Sequence, residues 1–378
     1  MTDEISELVE RLNNDVLKHL KNLFVGKDEI IDLMGVALVA GENLFMLGPP
    51  GTAKSALVQE MGRLLEGRTF DYLLTRFTEP NELFGPFDIR KLRDGELITN
   101  TEGMLPEASL VFLDELLNAN SAILNSLLNV LNERVFRRGR ETRKLPLLMT
   151  IGASNNLPED EALRALFDRF LLRVHCDNVA EESLLQVLDA GWKLEKRPAD
   201  QKPLLSIDDI KQMSLQISQI NLKEMIQVYL SVIHKLRQAG IQISDRRAVK
   251  LQKVIAASAM LAGRDEAIAS DIWILRYIWD TEEQQEVIAA IVNSEIDKAR
   301  QVEKEHPRAR KPQAPDPELL NRDLEAIAAK LDENPGEAEK NVLRDTLSEL
   351  NSRVPWVEGD VQRQFLTDKI NEIWTKLN

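Results

Sequence analysis

The chain has 378 residues, 43% of them hydrophobic and 29% charged, which is enough apolar material for two or three soluble domains. Its formal net charge of −14 argues against passive binding to nucleic acid, because phosphate contacts need clustered Lys and Arg. Cys176 is the only cysteine, so an internal disulfide is excluded, and the scattered His19, His175, His234 and His306 lack metal-ligand spacing.

The start, MTDEISELVERLNND, is acidic and amphipathic, unlike a signal peptide. No apolar run approaches the ~20 residues of a membrane helix. With a lone cysteine suited to a reducing compartment, the expected location is cytoplasmic. Residues 3–24 carry apolar side chains at helical spacing, Gly26 breaks the pattern, and a second helix is expected over Asp28–Ala40. Apolar runs at Asn43–Leu47, Asp71–Leu74, Leu110–Leu113, Leu147–Ala153 and Phe170–Val174 read as strands. Helical segments at Ser55–Leu65, Ala119–Asn132 and Glu159–Phe167 separate them. This alternation predicts an α/β fold with a mostly parallel sheet sandwiched by helices over residues 1–179.

From about Ala180 the strand signal ends. Helical periodicity runs through Glu182–Lys193, Ile207–Ile217, Leu222–Ala239, Asp245–Leu261, Ala269–Ile278 and Glu282–Lys304, giving an all-helical second domain over 180–304. Residues 305–317, EHPRARKPQAPDP, have linker composition. Three short helices are expected beyond, at 318–333, 337–352 and 359–377.

The chemistry concentrates at strand ends. Gly48-Pro49-Pro50-Gly51-Thr52-Ala53-Lys54-Ser55 lies between a strand and a helix, the setting of a P-loop. Its backbone N–H groups and the helix N-terminus can ring a phosphate. Lys54 can bridge the β- and γ-phosphates, and the Ser55 hydroxyl can ligate Mg²⁺. Ala53 stands where glycine is usual, so the loop is expected to enter its helix without a left-handed residue there. Leu110–Glu115 is a buried strand ending in two carboxylates. Asp114 can hold Mg²⁺ through its water shell, and Glu115 can polarise an attacking water. Ser154-Asn155-Asn156 ends another strand; an amide there, Asn155 with Asn156 adjacent, can position that water.

These residues, in this order, resemble AAA+ ATPases of the MoxR family. The match runs over about residues 20–280, through VGKDE, GPPGTAKS, TRFTEPNELFGPFDI, EGMLPEASLVFLDELLNANSAILNSLLNVLNERVF, IGASNNLPEDEALRALFDRF and SDRRAVK. The alanine before Lys54 is itself a habit of this family, and LTRF, FGP and ASNxLPE are similar to its RavA-like branch. The resemblance implies an AAA+ nucleotide-binding domain with a helical lid, using ATP and Mg²⁺. Gly48, Pro50 through Ala56, and the backbone of Val25 and Gly26 near the adenine would form the nucleotide site. Arg169, in Phe167-Asp168-Arg169-Phe170, would be the arginine finger, with Arg164 and Arg173 as rivals; Arg246, or its neighbour Arg247, would be the sensor-2 arginine.

The resemblance further implies a ring, expected as a homo-hexamer. It would act as a chaperone-like remodeller of a protein client with a von Willebrand factor A-domain partner, in complex assembly or metal insertion. A nucleic-acid motor related to MCM-like helicases and an ATP-gated scaffold are the alternatives. Two hairpins are expected, one with Phe87–Leu92 and Glu96–Asn100 flanking Arg93-Asp94-Gly95, and one over Val135–Leu145. The second, rich in Arg137, Arg138, Arg140, Arg143 and Lys144, is read either as a solvated turn or as a contact for an acidic partner. The extra domain of RavA-like proteins is not expected in the short tail.

Overall fold

The computed structural model describes residues 1–299 apart from 94–96, 139–140, 159–160, 180–182 and 197–202, then 306–309, and beyond 319 part of the C-terminal segment, including 360–377. The chain divides into two compact units, Met1–His306 and Pro307–Asn378.

Nine strands are described in the first unit: β1 (Leu44–Leu47), β2 (Leu65–Glu66), β3 (Thr69–Leu73), β4 (Leu110–Asp114), β5 (Val135–Arg138), β6 (Glu141–Lys144), β7 (Met149–Ser154), β8 (Leu172–His175) and β9 (Leu205–Ser206). Five form one sheet in the order β3-β4-β7-β1-β8, with every pairing parallel. Parallel strands covered on both faces are apolar throughout, and β1 (LFML) and β7 (MTIGAS) are buried at every position. Helices Asp28–Ala40 and Lys54–Leu64 each bury an apolar side in this unit. Phe45 in β1 meets Phe167 and Phe170 edge-on, with centroids 4.9 and 5.4 Å away, which pins the Phe167–Phe170 turn to the sheet.

The sheet order places β7 between β1 and β4. The strand tips carrying Gly48, Asn155 and Asp114-Glu115 therefore converge at the carboxyl end of the parallel strands, where open α/β sheets bind ligands.

Four local expectations change. Residues 3–24 are not one α-helix: a π-helical turn, Leu12–Leu17, joins helix Asp3–Arg11 to helix Lys18–Leu23. The wider turn buries Leu12, Val16 and Leu17, and Asn13 donates to the Leu261 carbonyl at 2.7 Å. The region after residue 180 is not wholly helical, because β9 pairs in parallel with β2; two residues are too short to leave a periodic signal. The Ala269–Ile278 segment is a 3-10 helix, Ala269–Tyr277.

The first expected hairpin is closed at its base by a Phe87–Thr99 bridge, with Asp88 N–H donating to Ile98 O and Asn100 N–H to Pro86 O, both at 2.8 Å. Yet Ile89–Arg93 is helical, because the Asp88 carboxylate accepts from the N–H of Arg90 and caps the turn. Asp94, Gly95 and Glu96 lie outside the described residues.

The second expected hairpin forms as the antiparallel pair β5–β6, with Arg140 outside the described residues. In the C-terminal unit, Leu320, Leu324 and Ile327, then Leu343, Leu347, Leu350 and Val354, then Leu366, Ile370 and Ile373 pack into a separate core, and Asp360–Leu377 is helical.

Candidate nucleotide site

The loop after β1 is boxed in by the exit of β8. Gly48 N–H donates to Ser154 O at 3.1 Å, and Cys176 N–H to Leu47 O at 2.7 Å. A Cβ on Gly48 would lie 2.3 Å from the Cys176 carbonyl oxygen, so only glycine fits. The Cys176 thiol faces the Thr52 carbonyl at 3.5 Å, and the Thr52 hydroxyl donates to Pro49 O at 3.0 Å. Pro50, Gly51 and Ala53 stay exposed, and Ser55 and Ala56 are half-buried in the first turn of helix Lys54–Leu64.

Ala53 overturns one expectation. It has φ 66 and ψ 21, left-handed, immediately before the helix. The loop reverses so tightly between Gly51, at φ 84, and the helix that the conformation is imposed despite the Cβ. Such backbone outliers, held by the surrounding structure, cluster at ligand clamps.

Lys54 is buried, and its Nζ donates to the carbonyls of Gly48 (2.6 Å) and Pro49 (2.9 Å). Glu115, one residue past β4, is also left-handed, at φ 50. Its Oε1 accepts from Asn155 Nδ2 at 2.7 Å and its Oε2 from Asn118 Nδ2 at 3.3 Å; its N–H donates to Asp114 Oδ1 at 3.0 Å. Burial, then the Asp114 charge, push the Glu115 carboxyl above its ordinary value, while the Lys54 charge and the Asn155 hydrogen bond pull against them. The structure thus brings Lys54, Asp114, Glu115 and Asn155 to one place. The Asn156 backbone N–H donates to Ser154 Oγ.

Gly26, next to Val25, lies against the β8 exit. Gly26 has φ 70, and a Cβ there would meet Val179 at 3.1 Å. Lys27, buried, donates to the Asp177 carbonyl. The Cys176–Val179 stretch therefore touches both the phosphate loop and the turn expected near the base.

The arginines sort by burial. Arg164 is exposed on helix Glu161–Phe167. Arg173 is fully buried: Nη1 donates to Ile278 O (3.2 Å), Trp279 O (2.7 Å) and Asp280 Oδ1 (2.6 Å), and Nη2 to Phe167 O (3.2 Å). Burial, then the Arg247 charge, lower its pKa to about 9, against the pull of Asp280 and Asp168. A guanidinium so enclosed cannot reach another subunit. Arg169 stays half-exposed, and its Nε has no hydrogen-bond partner among the described residues.

Ser244 caps helix Asp245–Leu261, accepting from Arg247 N–H, so Arg246 and Arg247 share its first turn. Arg247 is committed to both oxygens of Asp280 (3.2 and 3.1 Å) and to Ile278 O, whereas Arg246 is exposed. Arg169 and Arg246 both line one cleft of about 710 Å³, together with Asp168, Arg247, Lys250 and Asp280. None of residues 48–56, nor Asp114 or Glu115, lines it.

The arginine-rich hairpin is largely spent inside the chain. Arg134 donates to the carbonyls of Gly41, Leu147 and Leu148. Arg138 donates to Gly85 O and the Asn81 side chain and lies over the Phe87 ring at 4.0 Å. Arg143 donates to Thr101 Oγ1 at 3.0 Å, and Arg137 pairs with Glu133. The sequence reading missed the engagement of Cys176, Lys27 and Asp280. A lone polar residue just past an apolar run carries no spacing signal, and only the fold reveals its partner.

Comparison with known proteins agrees with this geometry. Residues 10–215 match a family model described as the MoxR domain of MoxR-vWA-beta-propeller ternary systems, and residues 221–292 match an AAA lid domain. The chain is 36% identical over 296 residues to an uncharacterized protein of Methanocaldococcus jannaschii, covering 76% of this chain and 75% of that one. It is 24% identical over 271 residues to the chaperone MoxR1 of Mycobacterium tuberculosis, covering 67% and 70%. The fold is similar to the crystal structure of a candidate ATPase from Cytophaga hutchinsonii, with TM-score 0.62 at 18% identity, covering 77% of this chain and 96% of that one. Among the described residues no helix is long and apolar enough to cross a membrane.

Proposed function

The chain belongs to the MoxR family of AAA+ ATPases, and on that premise we propose that it hydrolyses ATP within a ring of identical subunits, a hexamer by expectation, to remodel a protein client. The observation that carries this is Glu115, held by Asn155 beside Lys54 and Asp114.

The donors fit a magnesium nucleotide. Ser55 offers a hydroxyl and Asp114 a carboxylate, both hard oxygens of the kind Mg²⁺ takes alongside phosphate and water. When bound, the ion neutralises charge on the phosphates. Lys54, now satisfied by two carbonyls, would turn its ammonium to the β- and γ-phosphates. The Glu115 carboxylate would orient the attacking water and draw its proton, and Asn155 fixes that carboxylate.

Arg169 and Arg246 share a cleft that the chain's own phosphate loop does not line. Both would therefore serve the nucleotide of the neighbouring subunit, at a heterologous interface of the ring. A guanidinium delivered there stabilises charge in the transition state.

We propose a von Willebrand factor A-domain protein as partner, which the description of the family model supports, and action in complex assembly or metal insertion in the cytoplasm. The RavA-like branch rests on the LTRF, FGP and ASNxLPE motifs alone. The test is phosphate release by purified protein, with Glu115→Gln used to trap the ATP state during co-purification from the native host. Turnover plus recovery of a von Willebrand factor A-domain protein is expected. No turnover at any ATP concentration, or recovery of DNA alone, sinks the reading.

A further inference from the structure

Between the strand that precedes the expected lid and the lid itself lies a buried ionic cluster that the proposed hydrolysis does not use directly. Among the described residues Arg173 is the only guanidinium in the set of largest fully buried side chains. Through Nη2 it holds the carbonyl of Phe167, the residue that opens the turn bearing Arg169. Through Nη1 it holds Ile278, Trp279 and Asp280. Asp280 in turn takes both oxygens to Arg247, which adjoins Arg246 on the capped first turn of helix Asp245–Leu261. The Asp280 N–H is itself fixed by the Gln284 side chain at 2.8 Å.

Through Arg173 and Arg247, Asp280 thus joins the finger turn to the turn that carries Arg246. Without this carboxylate the like-charged Arg173 and Arg247 repel each other, and Arg173 keeps only the looser Asp168 contact at 3.8 Å, which forces rearrangement. A shift of about 1 Å in a positioning group can cost about a hundredfold in rate.

From this we infer that Asp280 is a positioning residue, holding Arg169 and Arg246 in one fixed register so that both meet the neighbouring subunit's γ-phosphate together. The inference rests on the proposed action of Arg169 on a neighbour. It predicts that Asp280 matters to the adjacent subunit's nucleotide and not to its own.

The test uses the full chain. Asp280→Asn keeps the size and one acceptor oxygen but removes the charge. It should bind a fluorescent ATP analogue within about twofold of the parent, while kcat falls by about tenfold or more. Asp280→Asn is then co-expressed with Lys54→Ala under two tags and doubly purified. The mixed ring should turn over ATP well above either variant alone, because a sound Asp280→Asn phosphate loop then meets sound arginines. Arg169→Ala with Lys54→Ala is the reference pair.

Recovery in the reference pair without recovery in the Asp280→Asn pair overturns the inference, as does parental turnover by Asp280→Asn alone. Failure of the reference pair overturns the neighbour-acting reading itself. Where Asp280→Asn does not fold, Arg247→Gln decides, since it leaves the Arg173–Asp280 pair intact. It should slow turnover in the parent and cost nothing further in an Arg246→Ala background. Additive losses there would mean that Arg247 acts on its own and that Asp280 registers nothing.

Discussion

Asn155 donates its side-chain N–H to Glu115 across 2.7 Å, joining the tips of β7 and β4, which are direct neighbours in the sheet. The contact aims the carboxylate and favours its ionised form. General-base action contributes about 10²–10⁴-fold, so Glu115→Gln should slow phosphate release by that range while leaving nucleotide affinity near parental. Asn155→Ala should cost less. It should also move the acidic limb of the turnover–pH profile upward, because the lost hydrogen bond lets the Glu115 pKa rise further. A limb that stays put or moves down removes Asn155 from this role.

Glu115 also costs stability. Its carboxyl is pushed above its ordinary value in the folded protein, chiefly through burial and the Asp114 charge. The folded state therefore binds the proton more tightly, and stability falls as pH rises from the unfolded value to the folded one. Glu115→Gln should melt above the parent at neutral pH. The two melting curves should converge as the pH drops below the ordinary carboxylate range. Calorimetry across pH checks this; a variant that melts lower at neutral pH contradicts it.

Ala53 pays for its left-handed backbone. An L-residue there costs roughly 1–2 kcal/mol, and glycine's greater freedom when unfolded takes back about 0.4–1 kcal/mol. Ala53→Gly should therefore stabilise the chain by about 0.5–1 kcal/mol in denaturant unfolding with ATP affinity retained. A loss of about 1 kcal/mol, as for glycine inside an ordinary helix, would show that the strain is not there.

Gly48→Ala should do the opposite. The added methyl meets a backbone carbonyl that cannot step aside. Overpacking of this kind costs about 1–3 kcal/mol, and the phosphate loop would have to move away from the β8 exit. Isothermal titration should find ATP affinity lost, not merely weakened, and parental affinity would refute the packing argument.

Arg138 clamps the base of the 87–99 insertion onto the β5–β6 hairpin. Arg138→Ala removes two hydrogen bonds and a cation–ring contact, about 1–2 kcal/mol of local stability. Amide exchange at Asp88 and Asn100 should accelerate while the sheet amides of Phe45 and Phe112 stay protected. Equal acceleration everywhere would mean global destabilisation instead.

The α/β architecture was legible because parallel strands are buried on both faces and leave unbroken apolar runs such as Leu110–Leu113. That Lys54, Asp114, Glu115 and Asn155 would meet was legible because each stands at the end of a strand or just past one, and neighbouring parallel strands bring those ends together. The left-handed Ala53 was not, because a backbone angle imposed by loop closure overrides the preference of a single residue. Pairing of β9 with β2 was invisible for want of length, and Arg173 with Asp280 because a salt bridge spanning 107 positions has no period. The helical Ile89–Arg93 stretch turned on one side chain, Asp88, whose cap outweighs the hairpin signal nearby.

Cys176–Val179 is shared property. Gly48, which must lack a side chain in the loop proposed to hold the phosphates, and Gly26, which turns the chain beside Val25, both lean on this stretch. On the proposed nucleotide reading, a change in this short exit could not tune grip on the triphosphate and preference among nucleobases independently. Variants selected for a different base should thus accumulate compensating changes in the loop that follows β1.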